Sequence, residues 1–145
     1  MTARSFVDTN VWVYAVDDDE PVKQAQARSL LAPEAGTGPV ISSQVLGEFY
    51  VTVTRELPRS FSPVEAGLFI KQMTELPVVA IDPSMVAAAV AGAQAWRISY
   101  WDALIIAAAE AGGCDRVLTE DLADGATYGS VRVENPFAER PGEVG

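Results

Sequence analysis

Short apolar runs alternate with longer helix-like segments along this chain of 145 residues, and this alternation limits the possible fold more than any other feature. Runs of four or five residues rich in Val and Ile are typical of buried strands, whereas the segments between them have helical length and pattern. The alternation predicts an α/β fold, a three-layer α/β/α sandwich with a mainly parallel central sheet. The predicted strands are 4–8, 39–42, 77–81, 116–119 and 131–133.

Capping residues mark where several helices begin. Ser42 or Ser43 can cap one helix, Ser62 and Glu65 form a capping-box pattern, and Asp82 precedes a proline suited to a first helical turn. Gly36 and Gly38 indicate a loop before the second strand. The predicted helices run from about 10–16, 21–31, 43–56, 63–75, 83–96 and 99–113, and the last is apolar on almost every face, as in a buried helix.

The length suits one domain, which we assign to residues 1–135, with a loose tail at 136–145. The N-terminus lacks the long apolar run of a signal peptide, and charged residues interrupt every later apolar segment before it could span a bilayer. We therefore expect a cytoplasmic protein with no membrane segment.

The sequence contains no histidine and one cysteine, Cys114. Nucleophilic catalysis of the Ser-His-Asp or Cys-His kind needs an imidazole, and Cys/His zinc sites have no ligands here. Cys114 lies between glycines and a strand, where it is expected to be a small turn residue. The remaining possibilities are catalysis by carboxylates, catalysis by a metal ion that prefers oxygen ligands, or no catalysis.

The formal net charge of −10 argues against a general nucleic-acid-binding module, since phosphate affinity normally comes from Lys and Arg. It argues less against a nuclease, because a metal can neutralise the acids of a nuclease locally. It is also compatible with a partner that carries a basic segment.

Four acids stand at or near the ends of predicted elements. Asp8 ends the first strand and Asp121 follows the fourth, while Glu48 and Asp102 lie on helices with mainly apolar neighbours. Each has a simpler interpretation: Asp8 as a helix cap, Glu48 as a solvated side chain, Asp102 as part of a capping box with Ser99, and Asp121 as a turn residue.

If the first and fourth strands are neighbours, Asp8 and Asp121 meet at the edge where ligands bind in open α/β sheets. Carboxylates crowded there repel one another unless they are protonated or bridged by a cation. Oxygen ligands favour Mg²⁺ or Mn²⁺, and such an ion can activate water for phosphodiester hydrolysis. Thr9, Asn10 and Thr119 could orient ligands or water.

The chain resembles PIN domains, in particular the VapC-type toxins of bacterial toxin-antitoxin pairs. The resemblance is carried by FVDTN at 6–10, SSQVLGEF at 42–49, SYWDALIIAAA at 99–109 and VLTEDLADG at 117–125. It implies a metal-dependent endoribonuclease whose Mg²⁺ or Mn²⁺ ligands are Asp8, Glu48, Asp102 and Asp121, with Asn10 or Thr9 as polar support. In the last motif Glu120 and Asp124 compete with Asp121, and the number of ions, one or two, stays open.

The resemblance also implies an RNA substrate, a cognate antitoxin bound in a groove near the site, and a homodimer. Trp12 and Tyr14 are candidate aromatic anchors for that groove, with core packing as the alternative for Trp12. Candidate RNA contacts are Arg4, Arg97 and Arg116, with solvated surface as the alternative.

Two other functions are considered. A haloacid-dehalogenase-type phosphatase also begins with a strand that ends in D-x-D. Here Asn10 stands at the position of the second acid, and no Lys follows Lys71. A non-catalytic module of the same fold would use the acids as helix caps and the aromatic residues to bind a partner.

Overall fold

The computed structural model of the chain describes residues 4–32 and 38–138. The loop predicted at Gly36 and residues 139–145 of the predicted tail therefore lie outside the described residues. Within the described residues the strands are β1 (Ser5–Val7), β2 (Ile41–Ser42), β3 (Val78–Val79), β4 (Arg116–Leu118), β5 (Thr127–Tyr128) and β6 (Val131–Glu134). The helices are α1 (Thr9–Val16), α2 (Pro21–Leu31), α3 (Ser43–Arg55), α4 (Pro63–Met73), α5 (Pro83–Trp96) and α6 (Tyr100–Ala111).

The central sheet is mainly parallel, as predicted. β1 pairs in parallel with β4, so that Phe6 lies opposite Val117, and β4 pairs in parallel with β6. β2 and β3 form a parallel pair that a single parallel bridge, from Phe6 to Val40, connects to β1. The pairing of β1 with β4 brings the residues that follow both strands to the same edge.

Successive side chains of the central strands point to opposite faces of the sheet and pack against the helices on those faces. Phe6 and Val117 join the large core cluster with residues of α3, α4 and α6, whereas Val7 and Leu118 pack with Ala27 of α2. This period-two alternation between two helical layers is the α/β/α sandwich expected from the sequence.

Helix α6 is the buried helix that its composition predicts, since every residue from Ala103 to Ala109 is buried. α5 covers its outer side through a separate cluster containing Ala89 and Leu104. Ser99 caps α6 by accepting a hydrogen bond from the backbone N–H of Asp102. The start of α6, and with it Asp102, is thus fixed by packing along the whole helix.

Most strand boundaries differ from prediction by one or two residues; β2, for example, covers only Ile41–Ser42 of the predicted run 39–42. β3 is limited to Val78–Val79, shorter than the predicted run 77–81, because the chain turns into the Asp82 cap of α5. β5 was not predicted; it pairs antiparallel with β6 across a hairpin in which Gly129 has a φ of 59°. A glycine with positive φ at the first position of a two-residue loop is typical of such hairpins.

None of the described helices is both long and apolar enough to cross a membrane.

Candidate active site

Asp8 lies directly after β1 and is 5% exposed. Its carboxylate accepts the backbone N–H of Thr9 at 2.7 Å, which makes it the N-cap of α1 as one interpretation of the sequence holds. Its second oxygen accepts the Thr119 hydroxyl at 2.8 Å, across the β1–β4 pairing. Capping and a role in the site are therefore compatible, because one oxygen serves each.

Thr119 connects the two strand ends. Besides donating to Asp8, its Oγ1 accepts from the Asn10 side-chain amide at 3.1 Å and from the Asp121 backbone N–H at 3.1 Å. The same Asn10 amide nitrogen donates to Asp121 Oδ2 at 3.1 Å. This network fixes Asp8 and Asp121 at one edge of the sheet, where the sequence predicted them to meet.

Glu48 and Asp102 approach this edge from α3 and α6. Thr9 Oγ1 lies 3.5 Å from Glu48 Oε1, so the helix that follows β1 reaches the α3 carboxylate. Asp102 stands in the first turn of α6, where its backbone N–H donates to Ser99 Oγ and its carboxyl also hydrogen-bonds Ser99, which lowers the Asp102 pKa.

The electrostatics couple the four acids. Burial raises the pKa of Asp8 to about 7; hydrogen bonds from Thr119 and Thr9 oppose the rise, and the charges of Asp121 and Glu48 add to it. The pKa of Glu48 is raised by burial first and by the charges of Asp121 and Asp102. Burial, and then the charge of Asp121, also raise the pKa of Asp102. Asp121 is the common neighbour in all three cases.

The competing acids of the fourth motif have other partners. Glu120 accepts the Tyr14 hydroxyl at 2.6 Å and forms a salt bridge with Lys23 at 3.2 Å. Asp124 accepts the backbone N–H of Asn135 at 2.8 Å, which ties the loop after β4 to the end of β6. Of the three acids, Asp121 is the one whose charge acts on Asp8, Glu48 and Asp102.

An open pocket of about 420 Å³ lies against Glu48 and Asp121. It continues away from them along α1 and the end of α3, where its wall is largely acidic. The lining residues are Thr9, Asn10, Val13, Tyr14, Asp17, Glu20, Glu48, Thr52, Glu56, Leu57, Glu120 and Asp121.

The donor set fits a hard divalent cation in chemistry. Across residues 4–32 and 38–138, no three Asp, Glu or Cys side chains lie close enough together to coordinate a metal ion as they stand. Yet carboxylate oxygens are the ligands that Mg²⁺ and Mn²⁺ prefer, and a cation would offset the repulsion that adds to the raised pKa values of Asp8, Glu48 and Asp102. Asp8, Glu48, Asp102 and Asp121 are the residues that would hold it.

Two of the predicted RNA-binding arginines lie at the wrong edge of the sheet. Arg4 donates to the carbonyl of Gly112, and Arg116, at the start of β4, binds Ser5 and Glu134. Arg4 and Arg116 lie at the N-terminal ends of the strands whose other ends carry the acids, so the structure does not place these two candidate RNA contacts at the site. Arg97 lies in the turn between α5 and α6, before the helix that carries Asp102.

The two aromatic candidates, Trp12 and Tyr14, lie in different environments. Trp12 packs against two core clusters, and its indole N–H donates to the Val7 carbonyl at 3.1 Å, in agreement with the core-packing alternative. Tyr14 lines the pocket, and Phe137 packs against it edge-on with ring centroids 4.9 Å apart.

The sequence reasoning missed Gln44. Its side-chain amide donates to the Trp101 carbonyl at 3.2 Å and also hydrogen-bonds Glu48, lowering the pKa of that carboxyl. Gln44 precedes Glu48 by one helical turn, and this spacing could have identified it. Lys23 was also missed, because only the fold brings it to Glu120.

The chain matches the PIN domain family over residues 5–123. No curated protein matches it in sequence. Among solved structures, a toxin-antitoxin complex from Klebsiella pneumoniae is similar with a TM-score of 0.65 and 18% identity, over 92% of this chain and 98% of that one. A DNA-bound VapBC from Salmonella typhimurium gives 0.63 and 17% over 92% and 98% of the two chains.

VapC20 of Mycobacterium tuberculosis, described as a toxin that cleaves the sarcin-ricin loop, gives a TM-score of 0.58 and 19% identity over 78% of this chain and 86% of that one. At these identities the structures establish a shared fold. The family match covers most of the chain, from β1 through the loop after β4, and includes all four acids. The chain belongs to the PIN domain family.

Proposed function

We propose that this protein is a Mg²⁺- or Mn²⁺-dependent endoribonuclease that acts as the toxin of a type II toxin-antitoxin pair in the cytoplasm. The observation that carries the proposal is the convergence of four acids from separate segments of the chain. Thr119, Asn10 and Thr9 connect Asp8, Asp121 and Glu48 by hydrogen bonds, and the charges of these acids and Asp102 act on one another. Hydrolysis of phosphodiesters by carboxylate-bound metal explains why such a costly cluster would be kept.

The residues of the chain have distinct tasks in this proposal. A bound divalent cation would supply Lewis-acid activation of water and of a phosphoryl oxygen. Thr119 holds Asp8 and supports Asn10, whose amide orients Asp121. Glu48 is oriented by Thr9 and Gln44. The burial of Asp8 excludes water from one side of the cluster and raises its pKa to about 7, so that without metal a large share of the carboxyl stays protonated near neutral pH.

The assignment to a toxin rests on the similar structures. One is described as a toxin that cleaves the sarcin-ricin loop, one as a toxin-antitoxin complex and one as a DNA-bound VapBC. By analogy we propose RNA as substrate, an antitoxin protein as partner and a homodimer as the assembly. The acidic pocket between Glu48 and Glu20 is compatible with a basic segment of the antitoxin.

Incubation of the purified protein with labelled structured RNA tests the enzymatic proposal. We expect cleavage with Mn²⁺ or Mg²⁺, no cleavage with EDTA, and a loss of roughly 100-fold or more for Asp8→Asn or Asp121→Asn. Asp115→Asn is the matched control, because Asp115 is exposed and precedes β4 at the opposite edge. EDTA-resistant cleavage, or full activity of Asp8→Asn, would contradict the proposal.

Thermal melting separates the alternatives. Mn²⁺ should raise the melting temperature of the wild type and of Asp115→Asn, and much less that of Asp8→Asn, since ligand bound only to the folded state stabilises it. Equal shifts with no RNA cleavage would favour the non-catalytic module. Hydrolysis of a small phosphate monoester without RNA cleavage would favour the phosphatase.

A further inference from the structure

Trp101 stands directly before Asp102, in the first turn of α6. The residue is 61% exposed, whereas Trp12 and Trp96 are partly buried in the core. Single exposed apolar side chains are ordinary at protein surfaces, so what sets Trp101 apart is its place: its backbone adjoins Asp102 and is linked through Gln44 to Glu48.

The contacts of Trp101 hold it in a defined place. The Tyr100 ring meets it edge-on, with centroids 5.0 Å apart and planes at 73°. Tyr100 itself packs on the α5–α6 cluster. The Trp101 carbonyl accepts the Gln44 amide, which also hydrogen-bonds Glu48. One side chain therefore ties the backbone of Trp101 to a carboxylate of the site.

A cation lies in the same turn. Arg97 ends α5 with φ 55° and ψ 45°, the only non-glycine residue of the described chain with positive φ. A left-handed arginine costs about 1–2 kcal/mol that a glycine would not. Arg97 forms no salt bridge with any described residue, so the turn presents an unpaired guanidinium and an aromatic ring within five residues.

An acidic protein faces a specific problem with RNA. The net charge is −10, and six acids line the pocket beside the site, so phosphate attraction is a weak source of affinity. Stacking of bases on aromatic rings is independent of that charge and tolerant of sequence, because every base has a π face. Unpaired bases are available in RNA loops and single strands, where proteins commonly stack aromatic residues on them.

Building on the proposed nuclease function, we propose that Trp101 is a stacking platform for an unpaired base of the RNA, which positions the adjacent phosphodiester at the acid cluster. Trp101 is thus a substrate-positioning and specificity residue that favours looped or single-stranded RNA over duplex. Gln44 couples the platform to Glu48, and Arg97 offsets part of the repulsion of the backbone in the same turn.

Steady-state cleavage of a hairpin with an unpaired loop, and of a duplex of equal length, tests this inference. Trp101→Ala should raise KM for the hairpin by about 10- to 100-fold with a much smaller change in kcat, and should reduce the preference for hairpin over duplex. Trp101→Phe should recover most of the affinity. Leu68→Ala, which truncates another exposed apolar residue on α4, is the matched control.

Light scattering of the same variants after size exclusion tests whether Trp101 instead belongs to a dimer interface. If Trp101→Ala cleaves the hairpin as Leu68→Ala does, or if it loses activity only because a dimer dissociates, the inference is wrong while the nuclease proposal stands. A wild type that cleaves no RNA would overturn the proposed function, and this inference with it. Because Trp101 is exposed, the variants should melt close to the wild type, which melting curves verify.

Discussion

Thr119 is completely buried, and each of its hydrogen bonds goes to an atom of the site or its support. Its hydroxyl compensates part of the cost of burying the Asp8 carboxylate, and Asn10 and Asp121 depend on the same oxygen. A buried polar group that loses its partner costs more than the net value of the bond, so the network depends strongly on this one side chain.

Thr119→Val should destabilise the metal-free protein by about 1–3 kcal/mol and raise the pKa of Asp8 further. Urea unfolding gives the first quantity and carboxyl NMR titration the second. Thr127→Val, at an exposed position of β5, should change neither. An unchanged Asp8 titration in Thr119→Val would show that the hydroxyl does not stabilise the carboxylate.

The raised pKa of Asp8 makes the free energy of unfolding depend on pH. Because its folded-state pKa of about 7 exceeds the unfolded value, the folded state binds more protons between the two, and stability falls as pH rises through this window. In EDTA, wild type should therefore lose stability relative to Asp8→Asn, by up to a few kcal/mol, as pH rises from about 5 to about 8. Denaturant unfolding of both proteins across that range measures the difference. A constant difference would mean that Asp8 titrates normally.

The sequence predicted which acids are brought together but not how they are held. Asp8 and Asp121 follow neighbouring parallel strands, so topology alone makes them meet. The bonds of Gln44 and Lys23 depend on helix phase and on side-chain conformation across residues far apart in sequence, and apolar patterns do not encode either.

At the scale of elements, α6 links the core to the site. Its buried residues fix the axis of the helix, and the Ser99 cap fixes where its first turn begins. The helix dipole also favours a negative group in that first turn, which partly offsets the repulsion that Asp102 meets from Asp121.

Ser99→Ala should cost about 1 kcal/mol of stability and also reduce RNA cleavage, because the first turn that presents Asp102 frays. Ser62→Ala is the matched control, since Ser62 also accepts a backbone N–H three residues along its helix, α4, and lies in the capping box that the sequence predicted. The two variants should lose similar stability by chemical denaturation, with cleavage impaired only in Ser99→Ala. Equal activity would mean that the cap is purely structural.

A second variant on α6 tests whether the Asp102 carboxylate stabilises the helix start or is destabilised by repulsion from Asp121. Without metal, Asp102→Asn should be no less stable than wild type, because it removes a carboxyl whose pKa burial and Asp121 already raise. Thermal melts in EDTA measure this. A loss of several kcal/mol would show that the carboxylate stabilises the helix start.

Element existence was easier to predict than element length. The caps at Ser62 and Asp82 are local signals and are confirmed by α4 and α5. β3 is shorter than its apolar run, and β5 has only two residues. Such short strands owe their assignment to pairing partners rather than to their own composition.

At the scale of the whole molecule, the charge distribution opposes folding without counterions. The net charge is −10, and part of it is concentrated in the pocket wall at Asp17, Glu20 and Glu56. Self-repulsion of this kind destabilises the compact state and is screened by salt.

Raising NaCl should therefore raise the melting temperature of the protein in EDTA. Glu56→Gln should weaken this salt dependence more than Asp115→Asn, although both remove one negative charge, because Glu56 lies in the acidic wall. Melting curves over a salt series test both statements. Identical slopes for the two variants would indicate a diffuse field without a local contribution from the pocket.

The parallel pairing of β1 with β4 has a consequence for biosynthesis. Val7 finds its partner Leu118 only after more than a hundred intervening residues have been made, and Asp121 comes later still. An emerging polypeptide that already carries Asp8 and Glu48 is therefore chemically incomplete while the ribosome is still translating it. Any activity that needs all four acids therefore cannot begin until Asp121 has left the ribosome and β4 has paired with β1.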